Sequence, residues 1–267
     1  MLCAPRAAGP PRLPRADLEV AVALVEAAGA AVRAARERPV VVEAKTAATD
    51  VVTAADHAAE AAMVAILGAE RPEDGILGEE GASADTGAGG RTWVLDALDG
   101  TLNFATGLGP YCCAAALVAD GRALAVAVLD PIAGRRWTAT AGEGAFADDA
   151  PIRARGPERL ADAILATYAH PDRKGRAGVI DGFRALVEHA GMLRIIGSGT
   201  LDLAWVAEGR LHGWVQPGVE PWDWYPGALL VAEAGGVQAE VVRAGTPWRV
   251  AAANAALLDE LVAVLAA

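Results

Sequence analysis

The segment from residue 93 to residue 104 constrains this chain more than any other part of its sequence. An apolar run over residues 93–95 ends on Asp96, and Asp99 follows, before Gly100, Thr101 and a stretch that can begin a helix. Two carboxylates at the end of a buried strand are costly unless a cation meets them. Mg²⁺ prefers carboxylate, phosphate and water oxygens, and a free helix N-terminus binds anions. The pattern predicts a strand, a turn and a helix that bring a metal ion and a phosphate group together.

The same residue types also occur in ordinary turns. Asp, Gly and Thr are common at turn positions and helix caps, so this segment alone fits a turn as well as a site. The rest of the sequence has to decide between these two interpretations.

Composition limits the classes of protein that the chain can belong to. Its 267 residues suffice for one large domain or two modest ones. Because 54% of residues are hydrophobic and only 5% aromatic, we expect a core of Ala, Val and Leu. The net charge of -11 argues against broad contact with nucleic acid or an anionic membrane. A small anionic substrate stays possible, since metal ions reverse the field locally.

Cysteine usage and the N-terminus bear on location. Cys3, Cys112 and Cys113 form no Cys-x-x-Cys pair, which favours a reducing cytoplasm and excludes a thiolate zinc site. Residues 1–16, rich in Pro, Ala and Arg, are predicted to be a flexible tail without a signal peptide. No apolar run is long enough for a bilayer. We therefore expect a cytoplasmic protein with no membrane and no nucleic-acid partner.

Periodicity and turn signals divide the rest of the chain into two parts that together form one catalytic unit. Residues 17–150 are predicted to be an α+β subdomain carrying most metal ligands, and residues 151–267 an α/β subdomain. Residues 45–50 and 81–90 are predicted to be loops. Helices are predicted over residues 17–36, 54–67, 179–190, 201–208, 226–234 and 255–265. Strands are predicted over residues 76–78, 114–119, 123–129, 137–141, 144–146, 163–167, 193–196, 211–215 and 236–239.

Four further segments carry oxygen-rich or glycine-rich patterns of the same kind. Glu79 and Glu80 follow an apolar strand, Asp50 and Asp56 lie downstream of Lys45, and a glycine turn with Ser198 and Gly199 opens a helix. In the fourth, Glu220 and Asp223 precede an apolar, glycine-containing helix. In order and spacing the five segments closely resemble the inositol monophosphatase family, within the superfamily of metal-dependent, lithium-sensitive sugar and nucleotide phosphatases. The resemblance covers residues 17–265.

This resemblance implies an α/β fold layered as an αβαβα sandwich, and Mg²⁺-dependent hydrolysis of a phosphate monoester by attack of a metal-activated water. Two or three Mg²⁺ ions are expected. The implied metal ligands are Glu79, Asp96, the carbonyl of Leu98, Asp99 and Asp223. The implied catalytic residues are Glu79, Thr101 and Asp56, with Thr101 and Glu79 orienting and deprotonating the water. The implied substrate contacts are Gly100, Thr101, Ser198, Gly199, Gln216 and Asp223.

Several of these residues also have a structural interpretation. A helix cap explains Asp56 as well as a catalytic role does, and it is the alternative for Asp223. Lys45 and Asp50 fit a loop ion pair near a third metal position, and a glycine turn such as the one at Ser198 needs no ligand. The histidines at positions 57, 170, 189 and 212 are interpreted as surface or packing residues.

Two departures from the family pattern bear on the substrate. Gln216 stands where inositol-specific members carry a Glu that contacts an inositol hydroxyl, and Trp224 stands where a small or aliphatic residue is usual. A small polyol or sugar phosphate remains the expected substrate, with inositol monophosphate first. The alternatives are histidinol phosphate, fructose 1,6-bisphosphate and 3′-phosphoadenosine 5′-phosphate. The remote alternative is a non-catalytic regulatory protein. Such a protein is expected to have lost a metal ligand or Thr101, and this chain has all of them. The resemblance also implies a homodimer.

Overall fold

The computed structural model describes residues 16–37, 39–47, 49–85 and 89–267. All but the last residue of the predicted N-terminal tail, and part of the predicted loop at residues 81–90, lie outside these ranges. Within them no helix is long and apolar enough to cross a bilayer. The helices are α1 (Asp17–Arg36), α2 (Ala54–Glu70), α3 (Thr101–Thr106), α4 (Val179–His189), α5 (Gly199–Ala207), α6 (Pro221–Glu233) and α7 (Ala255–Ala266).

The described residues also form three β-sheets. The hairpin β1 (Val42–Ala47) and β2 (Asp50–Thr53) stands alone. The eight-stranded sheet, in the order β10-β9-β8-β7-β6-β5-β3-β4, contains β3 (Gly75–Gly78), β4 (Ser83–Ala84), β5 (Arg91–Asp99), β6 (Cys112–Ala119), β7 (Arg122–Asp130), β8 (Arg135–Thr140), β9 (Gly144–Ala147) and β10 (Ala150–Pro151). The five-stranded sheet, in the order β12-β11-β13-β15-β14, contains β11 (Ile164–Thr167), β12 (Met192–Arg194), β13 (Gly213–Pro217), β14 (Val237–Arg243) and β15 (Thr246–Ala252).

These elements stack in five layers. Helices α1 and α2 pack on one face of the eight-stranded sheet, where Leu24 and Met63 meet Trp93. Helices α5 and α6 cover the other face and also pack against the five-stranded sheet, so that Leu203 shares a core with Trp214. Helices α4 and α7 close the outer face of the smaller sheet. The predicted αβαβα sandwich is therefore confirmed.

Alternation along the central strands produces this stacking. Along β5, Trp93 and Leu95 face α1 and α2, while Val94 faces α5 and α6. Because successive strand residues point to opposite faces, a strand covered on both sides is apolar throughout. The run of Cys, Ala, Leu and Val in β6 meets the same requirement, and Cys112 and Cys113 are free, fully buried thiols.

A β-bulge at the end of β5 aligns the two aspartates of the first motif. Asp96 lies opposite Ala114 and Asp99 opposite Cys112, so β5 has one residue more than β6 over this interval. In a regular strand, residues three apart point to opposite faces, and one extra residue cancels that difference. The bulge thus turns both carboxylates toward the same side.

The structure differs from the predicted elements in several places, including strand β2 and the short strand β4 within the predicted loop at residues 81–90. Residues 45–47 belong to β1 rather than to a loop, and Ala47 pairs with Asp50 of β2 after an irregularity in the register. Strand β15 was not predicted, although it joins β13 to β14. Helix α6 begins at Pro221, five residues earlier than predicted, because proline is well suited to a first helical position. Asp223 therefore lies in the first turn of α6, and Glu220 is the N-cap.

Candidate active site

Three carboxylates converge where β5 ends and α6 begins. Asp96, Asp99 and Asp223 each present an oxygen within 4.8 Å of the others. Asp96 Oδ1 accepts a hydrogen bond from Leu98 N at 3.1 Å, whereas Asp96 Oδ2 is buried without any hydrogen-bond partner. An all-oxygen donor set with an orphaned buried carboxylate oxygen fits a hard divalent cation such as Mg²⁺.

Without a cation, ionisation of these carboxylates is unfavourable, and their pKa values are raised. Burial raises the pKa of Asp96 well above its usual range, and the charges of Glu79, Asp99 and Asp223 raise it further. Burial likewise raises the pKa of Asp223, with Asp99 and Glu79 adding to the effect and Arg173 opposing it. A bound cation removes this mutual repulsion.

Asp99 accepts hydrogen bonds from residues at the start of α5. Its Oδ2 accepts hydrogen bonds from Thr200 N at 2.7 Å and Ser198 Oγ at 2.9 Å. Burial raises the pKa of Asp99, and these hydrogen bonds oppose the rise. Ser198 was expected to contact substrate. Its hydroxyl is instead buried against Asp99 and does not line the cavity, whereas Gly199 does.

Glu79 follows β3 and lies beside Asp96, because its N–H donates to Leu95 O at 3.3 Å. It is outside the cluster of three and pairs with Lys45, whose Nζ lies 3.1 Å from Glu79 Oε1 and 2.6 Å from Glu80 Oε1. Burial raises the pKa of Glu79 to about 7, with Lys45 opposing and Glu80 adding to the rise. Burial disfavours the Lys45 ammonium, yet the two glutamates raise its pKa overall.

Asp56 serves the helix and the site together. Its Oδ2 accepts hydrogen bonds from Thr53 N at 2.8 Å and Thr53 Oγ1 at 2.7 Å, which caps α2. Its Oδ1 accepts from Thr101 Oγ1 at 2.7 Å, and Leu98 O lies 3.1 Å from the same hydroxyl. Asp56 is 1% exposed and does not line the cavity. It therefore contacts Thr101 rather than the cavity.

The turn between β5 and α3 requires glycine. Gly100 has φ +102°, and a Cβ there would lie 3.0 Å from Gly197 O. Asn103 Nδ2 donates to Pro110 O and Ile196 O, both at 2.8 Å. These contacts fasten the loop before α5 to α3, so the two glycine turns lie side by side.

These residues border a cavity of about 320 Å³. Of the predicted site residues, all but Asp56 and Ser198 line it: Glu79, Asp96, Leu98, Asp99, Gly100, Thr101, Gly199, Gln216 and Asp223. Gln216 lies on β13, 5% exposed, and its Oε1 has no hydrogen-bond partner. The cavity therefore joins the acidic cluster to a neutral amide on the smaller sheet.

The wall after β11 was not predicted from sequence. Tyr168, His170 and Arg173 line the cavity there. His170 Nδ1 lies 2.5 Å from Asp172 Oδ1, and its partly exposed ring, expected to be a surface or packing residue, forms part of this wall. The sequence signal that could have identified this wall is its position directly after a strand. Because β11 and β13 are parallel, the residues that follow both strands meet at one edge of the sheet.

Two tryptophans of α6 lie on different sides of the site wall. Trp224 packs against Trp214, with ring centroids 5.8 Å apart and the rings tilted by 35°, and the Arg249 guanidinium lies over the Trp224 ring at 5.3 Å. Trp222, two residues earlier, lines the cavity. The departure from the family pattern at Trp224 therefore falls in packing behind the site.

With this fold and site, the chain belongs to the inositol monophosphatase family, whose family model matches residues 14–266. It is 38% identical over 196 residues to the Nus factor SuhB of Pseudomonas aeruginosa, covering 71% of this chain and 72% of the relative. It is 34% identical over 199 residues to the inositol-1-monophosphatase of Rhizobium meliloti, covering 74% and 75%. The solved inositol monophosphatase from Anabaena (Nostoc) sp. PCC 7120 superposes with TM-score 0.80 at 29% identity, covering 93% and 94%. Family membership supports a phosphatase of this fold.

Proposed function

We propose that this protein is a Mg²⁺-dependent phosphomonoester hydrolase acting on a small polyol phosphate, with inositol monophosphate as the first candidate. The observation that carries the proposal is the cluster of Asp96, Asp99 and Asp223 in the wall of one cavity. Its raised pKa values and the orphaned Asp96 oxygen are explained together by a divalent cation. The family match supports phosphate-ester chemistry at this place.

The chain's own residues divide the work of hydrolysis. Bound Mg²⁺ supplies neutralising charge and lowers the pKa of a coordinated water. The three aspartates, Glu79 and the Leu98 carbonyl would hold the cation, and the N–H groups of Gly100 and Thr101 would hold the phosphate. Asp56 fixes the Thr101 hydroxyl at 2.7 Å for contact with the attacking water. With Thr101, Glu79 would orient that water and accept its proton.

We assign substrate selection to Gln216, which lines the cavity from β13. Gln216 hydrogen-bonds a substrate hydroxyl without contributing a charge. Residues 17–150 and 151–267 act as one catalytic unit, because Asp99 and Asn103 from the first bond directly to Thr200 and Ile196 of the second. As in the family, we propose that the unit assembles as a homodimer.

Phosphate release from a substrate panel tests the proposal. The panel contains inositol 1-phosphate, histidinol phosphate, fructose 1,6-bisphosphate and 3′-phosphoadenosine 5′-phosphate, each with Mg²⁺, with EDTA and with the Asp96→Asn variant. We expect release that requires both Mg²⁺ and Asp96. Gln216→Glu is expected to raise kcat/KM for inositol 1-phosphate relative to the other three. Metal binding by folded protein without release from any substrate would contradict the proposal and favour the non-catalytic alternative.

A further inference from the structure

Helix α2 directs two buried carboxylates toward the site from one face. Asp56 and Glu60 are four residues apart, which places them one turn apart on the same side of the helix. Asp56 contacts Thr101, as described above. Glu60 has no place in the proposed chemistry and does not line the cavity, yet it is only 6% exposed.

Glu60 binds the turn that follows β3. Its Oε2 accepts a hydrogen bond from Glu80 N at 2.9 Å, and its Oε1 accepts from Ala82 N at 2.9 Å. Gly78 packs directly on this carboxylate, since a Cβ there would collide with Glu60 Oε2. The turn closes on itself through Gly78 N and Ala82 O at 2.8 Å. Both carboxylate oxygens thus hold the backbone on either side of residue 81.

No basic side chain in the described part of the chain forms an ion pair with Glu60. Two backbone N–H groups compensate its buried charge, one at each oxygen, and a carboxylate offers both of these acceptor oxygens where an amide offers one. A neutral amide at this position would keep one hydrogen bond and oppose the other N–H with its own NH₂. The identity of residue 60 is therefore tied to the geometry of the turn.

The turn needs this restraint because of what it carries. Glu79 precedes the first of the two anchored N–H groups by one residue, and its carboxylate is repelled by Glu80 and Asp99. Lys45, on strand β1 of the hairpin, attracts the Glu79 carboxylate. Without a fixed backbone, Glu79 would move away from the aspartates. We propose that Glu60 is a positioning residue that holds Glu79 beside the three-aspartate cluster and so sets the affinity of the site for a divalent cation.

This inference rests on the proposed function, because it takes Glu79 as a metal ligand. Residues that orient metal ligands typically change metal affinity 10- to 100-fold when mutated. Glu60→Gln is accordingly expected to weaken cation binding about 10- to 100-fold. At saturating Mg²⁺, kcat is expected to recover to within about threefold of wild type, since a bound cation itself draws Glu79 into place. A loss confined to kcat, at unchanged cation affinity, would overturn the proposal.

The experiment is an equilibrium titration of the full-length protein with Mn²⁺, followed by electron paramagnetic resonance. Glu70→Gln, which removes the same charge from the far end of α2, is the matched control and is expected to bind as wild type does. Cation affinity of Glu60→Gln within twofold of wild type would overturn the inference while leaving the proposed function intact. Wild-type protein that binds no Mn²⁺ would overturn both.

A second variant covers the case in which Glu60→Gln does not fold. Gly78→Ala leaves Glu60 in place but sets a methyl group against its carboxylate, so the turn must shift. It is expected to weaken Mn²⁺ binding in the same direction. Unchanged Mn²⁺ affinity in folded Gly78→Ala would overturn the inference.

Discussion

Lys45 Nζ lies 3.1 Å from Glu79 Oε1, so an ammonium group contacts a carboxylate that we propose as a metal ligand. The lysine comes from the β1–β2 hairpin, which lies outside both larger sheets. The same ammonium lies 2.6 Å from Glu80 Oε1. Because opposite charges stabilise the ionised form of a carboxylate, Lys45 partly neutralises Glu79 in the absence of a cation. Lysine and metal then compete for one carboxylate.

We therefore expect Lys45→Met to tighten Mn²⁺ binding about fivefold, since a partly exposed ion pair is worth up to about 1 kcal/mol. The titration is best done at pH 8.5, above the pKa of about 7 that Glu79 has beside its lysine partner. Lys174→Met is the control, because Lys174 is the chain's other lysine and is exposed. Weaker binding in Lys45→Met would show that the lysine supports the metal site instead of competing for it.

Asp96→Asn is expected to stabilise the metal-free protein while abolishing its activity. Asn retains the acceptor for Leu98 N and removes one of the mutually repelling charges that raise the pKa of Asp96. A gain of about 1–3 kcal/mol corresponds to a Tm rise of about 2–6 °C for a chain of this size. Thermal unfolding in EDTA measures the gain, and unfolding with Mg²⁺ is expected to show the metal-induced rise in Tm only for wild type. A lower Tm for the variant in EDTA would contradict the prediction.

Mg²⁺ stabilisation is expected to grow with pH. The pKa of Glu79 is raised to about 7, and that of Asp96 is raised as well, so the metal-free folded state keeps protons that the unfolded state has already released. For such groups the stability of the metal-free protein falls as pH rises through the folded pKa. A cation displaces these protons below that pKa and meets ionised carboxylates above it.

The dissociation constant for Mg²⁺ should accordingly decrease about tenfold between pH 6 and pH 8, if one proton is displaced at Glu79. The rise in Tm on adding a fixed, subsaturating Mg²⁺ concentration measures this decrease, because ligand stabilisation follows the ratio of concentration to dissociation constant. The Asp96→Asn variant is the control, with no metal-induced rise at either pH. An equal rise in wild type at both values would exclude proton displacement by the metal.

Alternating helix and strand patterns predicted an α/β fold, the family resemblance implied its αβαβα layers, and local motifs singled out the three aspartates. The uninterrupted apolar run at Trp93 predicts a buried strand, and Asp96, Asp99 and Asp223 each lie within a recognisable motif. Residues whose role depends on long-range contacts were harder to assign. Ser198 was predicted to face substrate, yet its partner Asp99 is 99 positions away in the chain.

Backbone irregularities account for other differences. The bulge that aligns Asp96 with Asp99 appears only in the register between β5 and β6. The early start of α6 rotates its first turn, so that Trp222 lines the cavity and Trp224 packs on Trp214. His170 belongs to an irregular segment without a motif, and only the parallel pairing of β11 with β13 brings it to the site.

Thr101→Val is expected to lower kcat about 10²- to 10⁴-fold with little change in KM. Valine keeps the volume of the side chain and removes the hydroxyl that donates a hydrogen bond to Asp56 Oδ1 at 2.7 Å. The backbone N–H groups proposed to hold phosphate are untouched, which is why substrate affinity should persist. Thr106→Val is the matched control on the same short helix, because its hydroxyl donates to the Leu102 and Asn103 carbonyls of that helix. Equal kcat values for the two variants would remove Thr101 from the chemistry, whereas partial activity of Thr101→Ser would confirm that the hydroxyl itself is needed.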